Sequence, residues 1–311
     1  MDISVVIPLY NEEESLTELH DWIVRVLHKN GYSYEIIFID DGSNDKSWEV
    51  IQKLHQSNPN VHAARFQRNY GKSAGLNVGF EMSKGNVVIT MDADLQDSPE
   101  EIPELYKMIH EEGYDLVSGW KKIRHDNTFT KNLPSKLYNS VNRMISGIQL
   151  HDMNCGLKSY KSDVIKNIEV YGEMHRYIPV IAKWSGYSKI GEKVVQHQAR
   201  KYGVSKFGLS RFIYGPLDLL TIMFMSKFGK RPMHFFGVIG SIISFTGLML
   251  LVWLSVDKIL FNTTGIANRP AFYLGILMVI VGVQLFIAGF LGELISRNSP
   301  ERNVYRISEE L

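Results

Sequence analysis

Cysteine is almost absent: Cys155 is the only one in 311 residues. A single thiol excludes an intrachain disulfide framework and any cysteine-based metal site, which fits a reducing compartment. The chain also lacks a basic, apolar leader. Met1-Asp2-Ile3-Ser4 runs straight into a strand-like segment, so no signal peptide is expected and the N-terminal domain should stay in the cytosol. Net charge is nearly absent too, at +1, which makes no case for nucleic acid, and no such partner is expected. No internal repeat or low-complexity tract is found. The most informative absence is local. No Asp, Glu, Lys or Arg occurs from Pro232 to Val256 or from Pro270 to Gly292, although residues 1–206 carry charge throughout. Each run can cross a hydrocarbon core of about 30 Å at about 1.5 Å rise per residue.

Basic residues set the expected orientation. Lys227, Lys230 and Arg231 precede the first run, and Arg297, Arg302 and Arg306 follow the second, whereas only Lys258 and Arg269 lie between. Both termini are therefore expected on the cytoplasmic side. The intervening Asn262-Thr263-Thr264 sequon is a pattern common by chance.

The first two hundred residues alternate strand and helix signals. Apolar runs at Ile3–Ile7, Glu35–Ile39, Val61–Phe66 and Asn86–Met91 predict strands. Stripes over Glu12–Lys29, Ser47–Gln56 and Gly71–Lys84 predict helices. Further strands are expected at Tyr114–Trp120, Lys158–Tyr160 and Lys189–Gln198, and helices at Leu133–Ser146 and Arg176–Ser185. Leu209–Phe228 is apolar but carries Arg211, Asp218 and Lys227, which predicts amphipathic helices at a membrane surface, the alternative being a helix packed against the soluble core. This pattern implies an α/β fold with a mostly parallel sheet covered on both faces. The expected organisation is a domain over 1–206, juxtamembrane helices over 207–231, two spans within 232–292 (about 232–256 and 270–292) and a cytoplasmic tail over 293–311.

Ligands of such sheets bind at the carboxyl ends of the strands. Three polar clusters fall there: Pro8-Leu9-Tyr10-Asn11-Glu12, Asp40-Asp41-Gly42-Ser43 and Asp92-Ala93-Asp94. Any one of them could simply cap the following helix; three together point to one shared site. Carboxylates one residue apart, as in Asp92 and Asp94, suit a hard divalent cation, Mg²⁺ or Mn²⁺, with room left for phosphate oxygens.

These clusters, together with Met91-Asp92-Ala93-Asp94-Leu95-Gln96-Asp97, resemble the inverting family-2 glycosyltransferases of the GT-A fold. With two C-terminal spans they resemble more narrowly the polyisoprenyl-phosphate glycosyltransferases, that is, bactoprenol glucosyltransferases and dolichol-phosphate mannose synthases. The resemblance implies transfer of a hexose from a nucleotide-sugar to a polyprenyl phosphate at the cytoplasmic membrane face. UDP-glucose is the first expectation for the donor, with GDP-mannose and other UDP-sugars as alternatives. It implies that Pro8, Tyr10, Asn11 and Glu12 line the nucleotide pocket and that Asp41 touches base or ribose. Asp92 and Asp94 would face the sugar and a metal-bound diphosphate, with Gln96 assisting. Arg124, Arg200, Ser205 and Lys206 would hold the acceptor phosphate, and Asp94 and Asp152 would be catalytic. A phosphate monoester is already largely dianionic at neutral pH, so a base role for Asp152 is not required by the chemistry.

Other residues receive plainer readings. Gly71-Lys72-Ser73 lacks the preceding glycine of a phosphate loop and is read as helix-start chemistry. His175-Arg176 opens a helix either in the active site or on the surface. Cys155 is expected to pack beside the Asp152 loop. Gly240, Gly247, Gly275 and Gly282 are expected at a close helix–helix contact. Two spans leave no obvious pore, which leaves self-association through them as a further expectation. A processive polysaccharide synthase would carry Gln-x-x-Arg-Trp, which is missing. A non-catalytic scaffold would not need the intact Asp41, Asp92 and Asp94 set. A transporter would be expected to carry charge within its spans.

Overall fold

A computed structural model describes residues 1–122, 147–170, 172, 174–198, 201, 224, 232–261, 265–297 and 307–311. The expected helices at 133–146 and 209–228 lie outside the described residues, Phe224 excepted. The chain divides into one unit of residues 1–216 and 303–311 and another of residues 217–302.

The first unit is built on strands β1 (Ile3–Leu9), β2 (Tyr34–Asp40), β3 (Val61–Phe66), β4 (Val87–Thr90), β5 (Leu116–Trp120), β6 (Lys158–Lys161), β7 (Ile190–Val194) and β8 (Ile307–Glu310). They form one sheet in the order β7-β5-β6-β4-β1-β2-β3-β8. The β4-β1-β2-β3 block is parallel, as is the β5–β7 pair, whereas β6 and β8 run antiparallel to their neighbours. The expectation of a parallel-rich α/β sheet is met.

Successive β1 side chains enter opposite cores, the consequence of a two-residue repeat. Ile3, Val5, Ile7 and Leu9 pack with α1 (Leu16–Lys29), α2 (Ser47–Ser57) and α4 (Ile102–His110). Val6 faces the other core, with α3 (Lys72–Met82), α5 (Ser162–Asn167) and α6 (Ile178–Trp184). Helix α3 is buried over Ser73–Phe80. It comes this close because a side chain at Gly79 would meet Val6 Cγ1 at 2.3 Å. The same tight packing fixes where the first turn of α3, with Lys72, comes to lie.

Two differences from the sequence expectation have simple causes. Strand β1 runs beyond the expected Ile3–Ile7, through Pro8 to Leu9. Val6 C=O accepts from Met91 N–H on the β4 side, so Pro8, two residues on, faces the same way. The β4 ladder ends at Val6, and the missing N–H of Pro8 costs no pairing. The chain end also does not form a separate tail. β8 pairs with β3, Leu311 and Ala63 exchange backbone hydrogen bonds of 2.8 and 3.1 Å, and Trp48 Nε1 donates to Glu309 Oε2 at 2.8 Å.

In the second unit, α7 (Pro232–Phe261) and α8 (Pro270–Arg297) are long and apolar enough to cross a membrane, each holding an 18-residue stretch of high mean hydropathy, 2.2 and 2.5 respectively. They pack antiparallel with backbones nearly touching. A side chain at Gly240 would meet Gly282 O at 2.5 Å, and one at Gly247 would meet Gly275 O at 2.8 Å. The glycines expected at a helix contact are found there. Near the link between the helices, Arg269 Nη1 pairs with Asp257 Oδ2 at 2.7 Å.

Candidate active site

The site lies where β1, β2, β4, β5 and β7 end and β6 begins. Because β6 is antiparallel to β4, its first residue, Lys158, pairs with Thr90 at the carboxyl end of β4. This brings the loop before β6, with Asp152, to the same edge as Asp92 and Asp94. The expected nucleotide, sugar and Asp152 positions are therefore gathered at one edge. Arg124, Arg200, Ser205 and Lys206 lie outside the described residues.

After β1, Asn11 holds a left-handed backbone (φ 53°). Its N–H donates to Ser43 Oγ at 2.8 Å, and its side-chain oxygen accepts from Asn44 N–H at 2.9 Å. Tyr10 Oη accepts from Asn44 Nδ2 at 3.3 Å, and Glu12 N–H donates to Ser47 Oγ at 2.9 Å. The β1 and β2 clusters are thus stitched into one wall. Asp40 is fully buried, beside Arg65 Nε at 3.4 Å, and burial raises its pKa.

Asp41 does something the sequence did not reveal. Its two oxygens accept the backbone N–H groups of Tyr70 (2.7 Å) and Gly71 (2.9 Å). Burial raises its pKa against these two hydrogen bonds. The carboxylate fastens the turn that launches α3.

After β4, Leu95 is the second described non-glycine residue with positive φ, at 60°. A left-handed leucine is strained, and such strain concentrates at functional sites. It separates Asp94 from Gln96, whose N–H returns to Asp94 Oδ1 at 3.2 Å. Gln96 C=O accepts from Gln198 N–H at 2.9 Å, and Asp97 bridges to His197. The segment leading towards Arg200 is therefore paired with the Asp94 loop.

Asp92 is ion-paired with Lys72 and lies against Gly156. Burial alone would raise its pKa, but Lys72, Lys121 and Lys158 together outweigh it and hold the carboxyl at about 2. Lys121 Nζ lies 2.7 Å from Asp97 Oδ1. Lys158, almost fully buried, donates to Cys155 C=O, and burial lowers its pKa. Ser73 Oγ accepts from His175 N–H at 3.1 Å and lies 3.0 Å from His175 Nδ1. Burial, then Lys72, Arg176 and Lys158, hold the imidazole well below its usual pKa, so it is neutral at pH 7. Of the two placements open to His175, the structure selects the one beside the site.

The Asp152 loop is pinned throughout. Asp152 N–H donates to Glu192 Oε1 at 3.0 Å, and its C=O accepts from Ser118 Oγ at 3.2 Å. Thr90 Oγ1 donates to Gly156 C=O at 2.9 Å. Cys155 is buried beside this loop as expected, and burial pushes its thiol up to about 12, well away from a thiolate. Lys72, Lys121, Lys158 and Gly156 were missed from the sequence. Lys158, the first residue of β6, can be recognised as part of the site only once the pairing of β6 with β4 is known.

Among the described residues no group of three or more His, Cys, Asp or Glu could hold a metal ion. Asp92 and Asp94 offer only carboxylate oxygens. That donor set fits a hard divalent cation whose other positions go to phosphate oxygens and water.

Comparisons with known proteins identify relatives of this chain in sequence and in fold. Residues 4–169 match Glycosyl transferase family 2. The chain is 35% identical over 299 residues to the dodecaprenyl-phosphate galacturonate synthase of Rhizobium johnstonii, covering 96% of this chain and 88% of that protein. It is 36% identical over 296 residues to the undecaprenyl-phosphate 4-deoxy-4-formamido-L-arabinose transferase of Proteus mirabilis, covering 95% and 88%. Among solved structures, the mannosyl-3-phosphoglycerate synthase of Rubrobacter xylanophilus superposes with a TM-score of 0.58 at 15% identity, over 73% of this chain and 75% of that one. The glucosyl-3-phosphoglycerate synthase of Mycobacterium tuberculosis, solved with Mn²⁺, UDP-glucose and phosphoglyceric acid, gives 0.54 at 16% identity, over 72% and 79%. These two share the fold. By sequence and by architecture, the chain belongs to glycosyl transferase family 2 and is a glycosyltransferase of the GT-A fold.

Proposed function

We propose that this glycosyltransferase moves a sugar from a nucleotide-sugar onto a polyprenyl phosphate at the cytoplasmic face of a membrane. The observation that carries the reading is the meeting of two carboxylate-bearing loops, Asp92–Asp94 after β4 and Asp152 before β6, with Gly156 lying against Asp92. Relatives named for dodecaprenyl and undecaprenyl phosphate, aligned over nearly the whole chain, support the acceptor class.

The reaction is a direct displacement with inversion. An oxygen of the acceptor phosphate forms a bond to the anomeric carbon as the bond to the nucleoside diphosphate breaks, and the leaving group keeps the electron pair. A phosphate monoester needs no base for this, so Asp152 serves to orient a sugar hydroxyl or the acceptor. Pro8, Tyr10, Asn11, Glu12 and Asp41 form the nucleotide wall. Asp92, Asp94 and Gln96 face the diphosphate and sugar. Arg124, Arg200, Ser205 and Lys206 take the acceptor phosphate. Bound at Asp92 and Asp94, Mg²⁺ or Mn²⁺ supplies Lewis-acid stabilisation of the departing diphosphate. Positioning and fixed charge supply the rest.

The membrane reading rests on α7 and α8. Because β8 shares a sheet with β1, the chain between them must cross a membrane an even number of times. Two spans satisfy that, and the basic flanks favour the cytoplasmic side.

The test uses membranes carrying the protein, undecaprenyl or dodecaprenyl phosphate, Mg²⁺ or Mn²⁺ and radiolabelled donors. UDP-glucose, the sequence expectation, heads the panel, followed by GDP-mannose and nucleotide-linked galacturonate and formamido-arabinose. Label entering the organic phase from one donor, and lost in Asp94→Ala, is the expected result and names the sugar. Folded protein that labels neither carrier from any donor overturns the acceptor class.

A further inference from the structure

Lys72 has no part in the reaction described so far, yet its position is built from three sides. Asp41 ties the backbone just before it, at Tyr70 and Gly71. Ser73, just after it, is joined to His175. Its ammonium reaches across to Asp92. The cation is thus delivered to the first carboxylate of the Asp92–Asp94 pair by a turn that another acidic strand end holds in place.

Three lysines act on Asp92, and only one has freedom to leave. Lys121 is bound to Asp97 with 12% of its side chain exposed. Lys158 is buried and donates to a backbone carbonyl. The Lys72 and Asp92 side chains are 34% and 33% exposed, so their pair opens to solvent. A divalent cation and an ammonium both seek the oxygens of Asp92, and two cations sharing one carboxylate repel. A lysine on a flexible four-carbon stem can swing away, and a diphosphate arriving at the same place offers it another anion.

We propose that Lys72 is a resident counter-ion that holds Asp92 before the donor binds, gives that carboxylate up to the divalent cation and turns to the donor's diphosphate; this rests on the nucleotide-sugar reading above. Lys72 is a positioning residue while paired with Asp92 and a ligand of the leaving group afterwards.

The test is Mn²⁺ titration of the full chain in detergent, without nucleotide, following free Mn²⁺ by electron paramagnetic resonance. Lys72→Met should bind Mn²⁺ about two- to five-fold more tightly, the worth of a partly exposed ion pair. Lys72→Arg should match the wild type, and the gain should vanish when Asp92→Asn is added. With Mn²⁺ saturating, Lys72→Met should lose affinity for UDP as the probe. Equal or weaker Mn²⁺ binding by folded Lys72→Met overturns the counter-ion, and unchanged UDP affinity overturns the handover. If Lys72→Met does not fold, as judged by its melting temperature, Lys72→Gln takes its place. None of these arms uses a sugar or a lipid. Failed lipid labelling with the Mn²⁺ gain intact sinks the reaction reading alone, and the reverse sinks only the counter-ion.

Discussion

Asp92 occupies the space that a side chain at position 156 would need: a Cβ on Gly156 would sit 2.3 Å from Asp92 Oδ2. Two loops far apart in sequence are thereby fitted to each other, one carrying Asp92 and Asp94 and the other Asp152. Gly156→Ala forces the Asp92 carboxylate to move and breaks its contact with Lys72. Because that carboxylate is the end of a side chain and not backbone, the fold should survive with little change in melting temperature. Transfer should fall on the order of 100-fold, the cost of misplacing a reacting group by about 1 Å. Initial rates and thermal melts of the same preparation check both halves.

Asp41 predicts a stability effect. Asn at this position keeps one acceptor oxygen and turns an NH₂ towards the second backbone N–H. One buried donor is then unsatisfied, at a cost of about 1–3 kcal/mol. Denaturant unfolding of Asp41→Asn should show that loss, and amide exchange at Tyr70 and Gly71 should quicken. Unchanged exchange at both would separate Asp41 from the α3 turn.

His175 predicts a pH dependence. Its folded pKa lies well below the ordinary 6.5, because burial and the nearby cations oppose protonation. Below about pH 6.5 the unfolded chain takes up a proton that the folded one refuses, so stability falls as pH drops through that region. His175→Asn removes the proton site from both states. Its melting temperature should therefore fall less steeply than the wild type's between pH 7.5 and 5, and parallel curves would rule His175 out as the cause.

The β8 strand predicts an edge effect. Removing residues 307–311 exposes the β3 edge and deprives Ala63 N–H of its acceptor, Leu311 C=O. Amide exchange over Val61–Phe66 should rise, and Trp48 fluorescence should shift once Glu309 no longer accepts from its indole. Trp48→Phe, which loses only that hydrogen bond and some packing, should cost about 1 kcal/mol for the bond.

The strands that bear the three polar clusters were legible because each is short, continuously apolar and stopped by turn chemistry. Asp92 and Asp94 announced themselves by spacing, and Gly240 and Gly282 by their place in charge-free runs. Lys72 was legible only as a helix start, since nothing local says that its ammonium crosses to Asp92, twenty residues on. Helices α4 and α5 and strand β8 were not predicted. The β8 stretch, Ile307–Glu310, is short and charged, and pairing with β3 makes it a strand where its own sequence does not.

The alternating α/β pattern, the acidic strand ends and the two apolar helices are local properties of the chain, because each depends on the periodicity or composition of a short stretch. Which charges meet is settled only by the packing of the folded chain. Antiparallel β6 carries Lys158 and the Asp152 loop to the carboxyl end of β4, the close approach of α3 at Gly79 delivers Lys72 to Asp92, and β8 returns to the edge of β3. These are long-range pairings set by sheet order and packing distance, which no window along the chain contains.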